Sequence, residues 1–179
     1  NLGSMAGGLI CLAVDETTIE RCWNQASVSG QSVAGIITAC AVAEYNAAIH
    51  ITDCYNAGAL SGEIAGGIMA STDNANELVT TLKHCFNYGG ITVGEDAASN
   101  FGAGMIAVPM DGVLCTGCYT RSGAITGNNK FGPESDLTMD EDLKVTEISS
   151  EQFIDLSNLS GFSAEIWELK TGADYPTLK

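Results

Sequence analysis

The stretch HITDCYNAGALSG, His50 to Gly62, puts a Cys-aromatic-Asn triplet a few residues ahead of a Leu-Ser-Gly. The same order of residue types occurs upstream in TIERCWNQASVSG and downstream in LKHCFNYGGITVG and TGCYTRSGAITG. Aligned on the Cys-aromatic pair, Cys22-Trp23, Cys54-Tyr55, Cys85-Phe86 and Cys118-Tyr119 stand 32, 31 and 33 residues apart. A period of that size marks stacked supersecondary units.

Each unit opens on a small-residue apolar strand: MAGGLI at Met5, VAGII at Val33, IAGGIM at Ile64 and FGAGMI at Phe101. The Cys-aromatic segment follows, and then a short strand ending in Ser or Thr and Gly. Three short strands per period leave no room for a helix, so the pattern predicts an all-β fold. The expected form is a right-handed parallel β-helix, a solenoid of about four three-stranded coils. At ~4.8 Å per rung, four coils rise roughly 19 Å, and equivalent positions sit above one another.

Three residues ahead of each repeat cysteine stand Ile19, Ile51, Leu82 and Cys115. An odd separation cannot put both residues on one face of a straight strand, so a bend must reset the alternation. The residue before each cysteine is Arg21, Asp53, His84 or Gly117. Asp, His and Gly tolerate left-handed backbone, whereas Arg21 is a poor fit. Each pair is therefore expected to face inward across a corner, with the four cysteines forming a buried column of small side chains. Alternation then points Trp23, Tyr55, Phe86 and Tyr119 outward as an aromatic ladder. Length varies at other corners, in AVAEYNAA, STDNANE and EDAASN, as insertions in a solenoid do.

The grammar covers residues 1–127, and residues 128–179 read as a capping module. Leu137, Met139, Leu143, Val145 and Ile148 supply apolar points among acids. Ser149 with Gln152 three residues on forms a capping-box signature for a short helix carrying Phe153, Leu156 and Leu159 on one face. AEIWELKTGADYPTLK predicts a strand, a Gly-Ala-Asp turn and a last strand begun by Tyr175-Pro176. A cover over the terminal rung is expected, since a bare sheet edge invites pairing.

Composition narrows the function. The chain of 179 residues has a net charge of -15, with 11 acidic residues on either side of residue 127. Such a surface repels nucleic-acid phosphates and anionic membrane faces. There is no apolar run of membrane-spanning length. The opening NLGSMAGG already lies inside the repeat grammar, which predicts that the chain was cut from a longer precursor.

Taken together, AGGLI, CWNQASVSG, AGIITAC, CYNAGALSG, AGGIM, CFNYGGITVG and CYTRSGAITG resemble the GLUG-type repeats of large bacterial surface proteins, including some IgA-protease precursors. The resemblance covers residues 3 to 127, and FSAEIWELKTGADYPTLK resembles the segment that closes such arrays. Departures are Gly35 without a paired glycine, the insertion before Phe101, and Thr120 where the other coils have Asn. The resemblance implies a secreted or cell-wall-displayed, adhesin-like module, and it offers no catalytic residues to carry over.

Few residues in the chain are candidates for chemistry. Seven cysteines include the lone CxxC of Cys115 and Cys118, but zinc or redox chemistry needs partners and the only histidines are His50 and His84. Cys115 occupies the Ile or Leu position, which makes it a core substitute. Glycan hydrolysis or elimination calls for paired carboxylates, or an acid beside Lys or Arg, on one strand face. The repeats hold only Arg21, Lys83 and Arg121 as bases, and Asp53 beside His84 reads better as a solvated turn pair than as an acid/base dyad. No catalytic, metal or cofactor residue is assigned. The ligand-stacking candidates are Trp23, Tyr55, Phe86 and Tyr119. The leading expectation is a non-enzymatic extracellular interaction or spacer module that contacts a host or matrix protein or glycan and neighbouring domains, with no nucleic acid and no direct membrane contact. The alternative is a carbohydrate-binding or carbohydrate-cleaving β-helix.

Overall fold

A computed structural model of the chain describes residues 4–13, 16–40, 48–71, 80–94, 101–108, 113–126 and 143–179, and of residues 39–40 and 143–144 only the backbone. The first repeat supplies strands β1 (Met5–Gly7), β2 (Ile10–Ala13), β3 (Thr17–Glu20), β4 (Trp23–Asn24) and β5 (Val28–Ser29). The second supplies β6 (Ser32–Ala34), β7 (Ile37–Cys40), β8 (Ile49–Thr52), β9 (Tyr55–Asn56) and β10 (Leu60–Gly62). The third supplies β11 (Ile64–Gly66), β12 (Met69–Ser71), β13 (Thr80–Lys83), β14 (Phe86–Asn87) and β15 (Ile91–Val93). The fourth supplies β16 (Phe101–Ala103), β17 (Ile106–Val108), the long β18 (Val113–Arg121) and β19 (Ile125–Thr126).

Like pairs with like, always in parallel. The sheets run β1-β6-β11-β16, β2-β7-β12-β17, β5-β10-β15-β19 and, as the largest, β3-β8-β13-β18 together with β4-β9-β14-β18. Register follows the repeat: Ile19 pairs with Ile51, Ile51 with Leu82 and Leu82 with Cys115. The result is a parallel, β-rich, solenoid-like fold. Each repeat is spread over four sheets where three strands per repeat are expected. Two-residue strands such as β4 and β9 hide inside what reads as a turn.

The chain bends at each expected corner. Arg21, Asp53, His84 and Gly117 all have positive φ, between 50° and 59°. Across that corner Ile51 and Cys54, Leu82 and Cys85, and Cys115 and Cys118 are all buried in one apolar cluster with Ile37, Met69 and Ile106. Arg21 adopts the left-handed conformation despite its side chain, which lies in solvent while its N–H donates to Thr52 O at 3.1 Å. The cysteines suit the corner because they are small and because the thiol reaches the carbonyl two residues back. Cys22 Sγ donates to Glu20 O at 3.2 Å, Cys54 Sγ to Thr52 O at 3.3 Å and Cys85 Sγ to Lys83 O at 3.4 Å.

Beyond the aromatic residue of the first three repeats an asparagine column stabilises the next turn, and Thr120 takes that place in the fourth. Asn24 Nδ2 donates to Asn56 Oδ1 and Asn56 Nδ2 to Asn87 Oδ1, both at 2.8 Å. The same Asn56 Nδ2 also donates to Gly58 O at 3.0 Å, and Gly58 N–H donates back to Asn56 Oδ1 at 3.3 Å. This column explains one glycine per repeat. A Cβ on Gly35 would fall 2.5 Å from Asn56 Cβ, and one on Gly67 would fall 2.6 Å from Asn87 Cβ. The glycine missing from the pair at Gly35 is the other one, whose place Ala34 and Ala103 fill in register with Gly66.

The C-terminal segment begins on the last rung and continues along the side of the sheets. Strand β20 (Leu143–Ile148) does add to the last rung, in parallel with β18 and with a register shift between Cys115 and Cys118. The rest folds back along the side of the stack. Helix α1 (Ser150–Phe153) starts with Ser149 N–H donating to Gln152 Oε1 at 2.9 Å. It stops after one turn because Asp155 is extended and caps a separate 3-10 turn at Leu156–Asn158, accepting from Ser157 N–H at 2.9 Å. The predicted final hairpin is present as β21 (Trp167–Glu168) antiparallel to β22 (Thr177–Leu178). Leu137 and Met139 lie outside the described residues, as do EDAASN and all but the ends of AVAEYNAA and STDNANE.

Candidate functional site: the aromatic column and its cover

Because each corner turns its cysteine inward, the next residue points out of the stack. Trp23, Tyr55, Phe86 and Tyr119 are therefore neighbours in register on β4, β9, β14 and β18. Trp23 and Tyr55 stack at 6.3 Å between ring centroids with 8° between planes, and Tyr55 and Phe86 at 4.9 Å with 7°. Offset stacking of this kind is worth about 0.5–1.5 kcal/mol per pair beyond the area buried.

The column faces away from the inner core but not into solvent. Tyr55, Phe86 and Tyr119 are 2%, 0% and 6% exposed, whereas Trp23 is 50% exposed. The C-terminal segment covers the three with Phe153, Leu159, Phe162 and Trp167, forming a second apolar cluster. Trp167 packs at 5.9 Å from Tyr55 and 5.6 Å from Phe86, and Phe162 meets Tyr119 edge-on at 5.7 Å. Ser160 N–H donates to the Tyr119 hydroxyl at 2.6 Å. The four-ring stacking surface expected from the repeats is thus reduced to Trp23, because the chain's own tail occupies the other three rungs.

Polar groups rim the covered column. Burial, with Tyr175 adding to it, pushes the Tyr55 hydroxyl up to about 12. Gln25 Nε2 donates to the Tyr175 hydroxyl at 3.3 Å. Arg121 sits 5.0 Å from the Tyr88 ring centroid and its Nε donates to Tyr88 O at 2.7 Å.

Asp53 and His84 do meet, with His84 Nδ1 3.5 Å from Asp53 Oδ1. They are not a solvated turn pair. The Asp53 side chain is 9% exposed, and Trp167 Nε1 donates to the same oxygen at 3.3 Å. Trp167 is 114 residues from Asp53, and no local pattern announces that contact. The cluster locks the hairpin onto the corner, since a buried carboxylate needs such donors. His50 Nδ1 lies 2.8 Å from Thr81 Oγ1, a part-buried contact between β8 and β13.

The CxxC lies where the core-substitute argument puts it. Cys115 is in the Ile19-Ile51-Leu82 column and Cys118 in the cysteine column, both buried. Cys54, Cys85, Cys115 and Cys118 are free thiols, as are the partly buried Cys22 and the exposed Cys11. Burial, together with the neighbouring thiols of Cys118 and Cys54, pushes the Cys85 thiol well above its ordinary range. Such a thiol is a poor nucleophile. Among the described residues no group of three or more His, Cys, Asp or Glu side chains is placed to hold a metal ion.

Comparison of the chain with protein-family models, with curated proteins and with solved structures found no match.

Proposed function

We propose that this chain is a non-enzymatic, extracellular interaction or spacer module of a bacterial surface protein, adhesin-like in character and built from GLUG-type repeats. In this reading the parallel sheets are the faces of a right-handed β-helix of four coils. Its partners are a host or matrix protein or glycan and the neighbouring domains of a longer chain. One observation carries it: the side chains that recur with the period are engaged with one another. The thiols bond corner carbonyls, the asparagines bond each other, and the aromatic rings hold the tail. A repeat spent on self-packing in this way supports a scaffold whose rungs carry loops and edges outward.

A second reading, glycan binding, is favoured by Trp23. Its half-exposed ring lies flat on Tyr55, a rigid platform of the sort sugar rings stack on. The test is a panel of immobilised glycans and matrix proteins probed with the chain and with Trp23→Ala, alongside an assay for new reducing ends. The module reading expects binding without bond cleavage, and release of reducing ends overturns it. Glycan binding that is unchanged in Trp23→Ala removes the platform from the account.

A further inference from the structure

Trp23, the one ring of the aromatic column that the tail leaves exposed, has polar groups at its edge that the repeat alone does not supply. Asn24 is buried, and Trp23 and Gln25 on either side of it are both exposed, as alternation requires. Gln25 heads a column of its own. Because Asn24, Asn56 and Asn87 are in register, the residues that follow them, Gln25, Ala57 and Tyr88, succeed one another along the stack. The tail brings Tyr175 to this column. Its ring centroid lies 4.8 Å from that of Tyr88 and 5.9 Å from that of Tyr55, and its hydroxyl accepts a hydrogen bond from Gln25 Nε2 at 3.3 Å. Burial and Tyr175 raise the Tyr55 hydroxyl while the Gln25 amide lowers it, so the three polar tips lie together beside the stacked rings of Trp23 and Tyr55.

We infer that Trp23, Gln25 and Tyr175 form one binding site for the terminal residue of an uncharged glycan. The indole takes the C–H face of the sugar ring, and the amide and phenol at its edge take two of the sugar hydroxyls. This inference rests on the glycan reading of Trp23 and adds to it the edge groups, the size of the ligand and its charge. The edge groups have capacity to spare. Gln25 uses one amide N–H on Tyr175, which leaves Oε1 and the second N–H, and Tyr175 accepts that bond, which leaves its own proton to donate. An apolar platform with a few placed polar groups is the usual make-up of a small-ligand site. Size follows from the tail. Tyr55, the next ring in the column, is 2% exposed beneath it, so the column offers a single stacking position. None of the three side chains is charged, and a net charge of -15 disfavours a carboxylated or phosphorylated sugar. The site joins the first repeat to the tail, 150 residues apart in the chain.

Saturation-transfer NMR and tryptophan fluorescence test this with the methyl glycosides of glucose, galactose, mannose and N-acetylglucosamine, with methyl glucuronide, and with a tetrasaccharide of the neutral sugar that binds best. A neutral glycoside is expected to bind with a dissociation constant on the order of 1 mM. Trp23→Ala removes the binding, and Gln25→Ala and Tyr175→Phe each weaken it about fivefold, the effect of one hydrogen bond. The tetrasaccharide binds within about threefold of the glycoside, as a single stacking position requires. Tyr175→Phe keeps the ring against Tyr55 and Tyr88, and hydrogen exchange across β21 and β22 is expected to match the parent in each variant. Affinity that falls only where β21 and β22 become exposed overturns the direct role of the edge groups. Binding that Trp23→Ala removes, but that Gln25→Ala and Tyr175→Phe leave unchanged, overturns the inference and leaves the glycan reading standing. A tetrasaccharide bound about tenfold more tightly than the glycoside, or glucuronide preferred over the neutral sugars, does the same. If the parent binds no sugar at all, the glycan reading falls and the inference with it.

Discussion

Replacing Asn56 by alanine tests whether the asparagine column is a main source of the fold's stability. Four hydrogen bonds end on this one fully buried side chain: from Asn24 Nδ2, to Asn87 Oδ1, to Gly58 O and from Gly58 N–H. A buried hydrogen bond contributes about 1 kcal/mol net, and a partner left unsatisfied in the interior costs about 1–3 kcal/mol. Asn24 Nδ2 retains Ala26 O at 2.9 Å, so the loss there is small. The Asn87 oxygen and the Gly58 peptide groups lose more. The sum is roughly 4 kcal/mol, a large share of the ~5–15 kcal/mol that holds a domain folded. With a urea dependence of ~2 kcal/mol per M, the unfolding midpoint falls by ~2 M. Urea titrations of the wild type and of Asn56→Ala, followed by circular dichroism, read the shift directly. A midpoint within ~0.4 M of wild type, with the slope unchanged, would refute the reasoning and shift the weight to the apolar columns.

Three further outcomes follow from particular contacts. Thr120 interrupts the column, with a buried hydroxyl that has no partner among the described residues, so Thr120→Asn gives Asn87 Nδ2 a second acceptor and raises stability by about 1 kcal/mol in the same titration. At the left-handed corner, Arg21→Gly is neutral or stabilises by up to ~1 kcal/mol, whereas Arg21→Val destabilises by at least ~1 kcal/mol; the reverse order would contradict the positive φ. Tyr55 ionises at about 12 in the fold against 10.0 for an ordinary tyrosine. The unfolded chain therefore releases this proton first as pH rises. The contribution of Tyr55 is full below pH 10 and lost between 10 and 12. Urea midpoints at pH 9 and pH 11 are expected to fall in that order, and less so in Tyr55→Phe.

The repeat made much of this readable in advance. Stacking places chemically equivalent residues in contact, so the spacing of Cys22, Cys54, Cys85 and Cys118 carries their register, and the odd three-residue step from Ile51 to Cys54 carries the corner. The glycine facing each asparagine is legible for the same reason, since a steric demand made on one rung is made on all. The tail obeys no period. Phe162 and Trp167 are recognisable as apolar, but which surface they cover depends on contacts with Phe86 and Tyr119 that no local pattern encodes. The helix ended early because Asp155 served a second cap instead of continuing the turn. The burial of Asp53 followed from Trp167 in the same way.

The tail also changes what happens under load. Rungs joined only by neighbouring sheets peel one at a time when tension is applied along the stack. Here a single segment grips the rungs in sequence, with Tyr175 at Gln25 and Tyr55, Trp167 at Tyr55 and Phe86, and Phe162 at Tyr119. Separating the first rungs from the last therefore requires breaking the ring contacts of the tail as well as the hydrogen bonds between neighbouring strands.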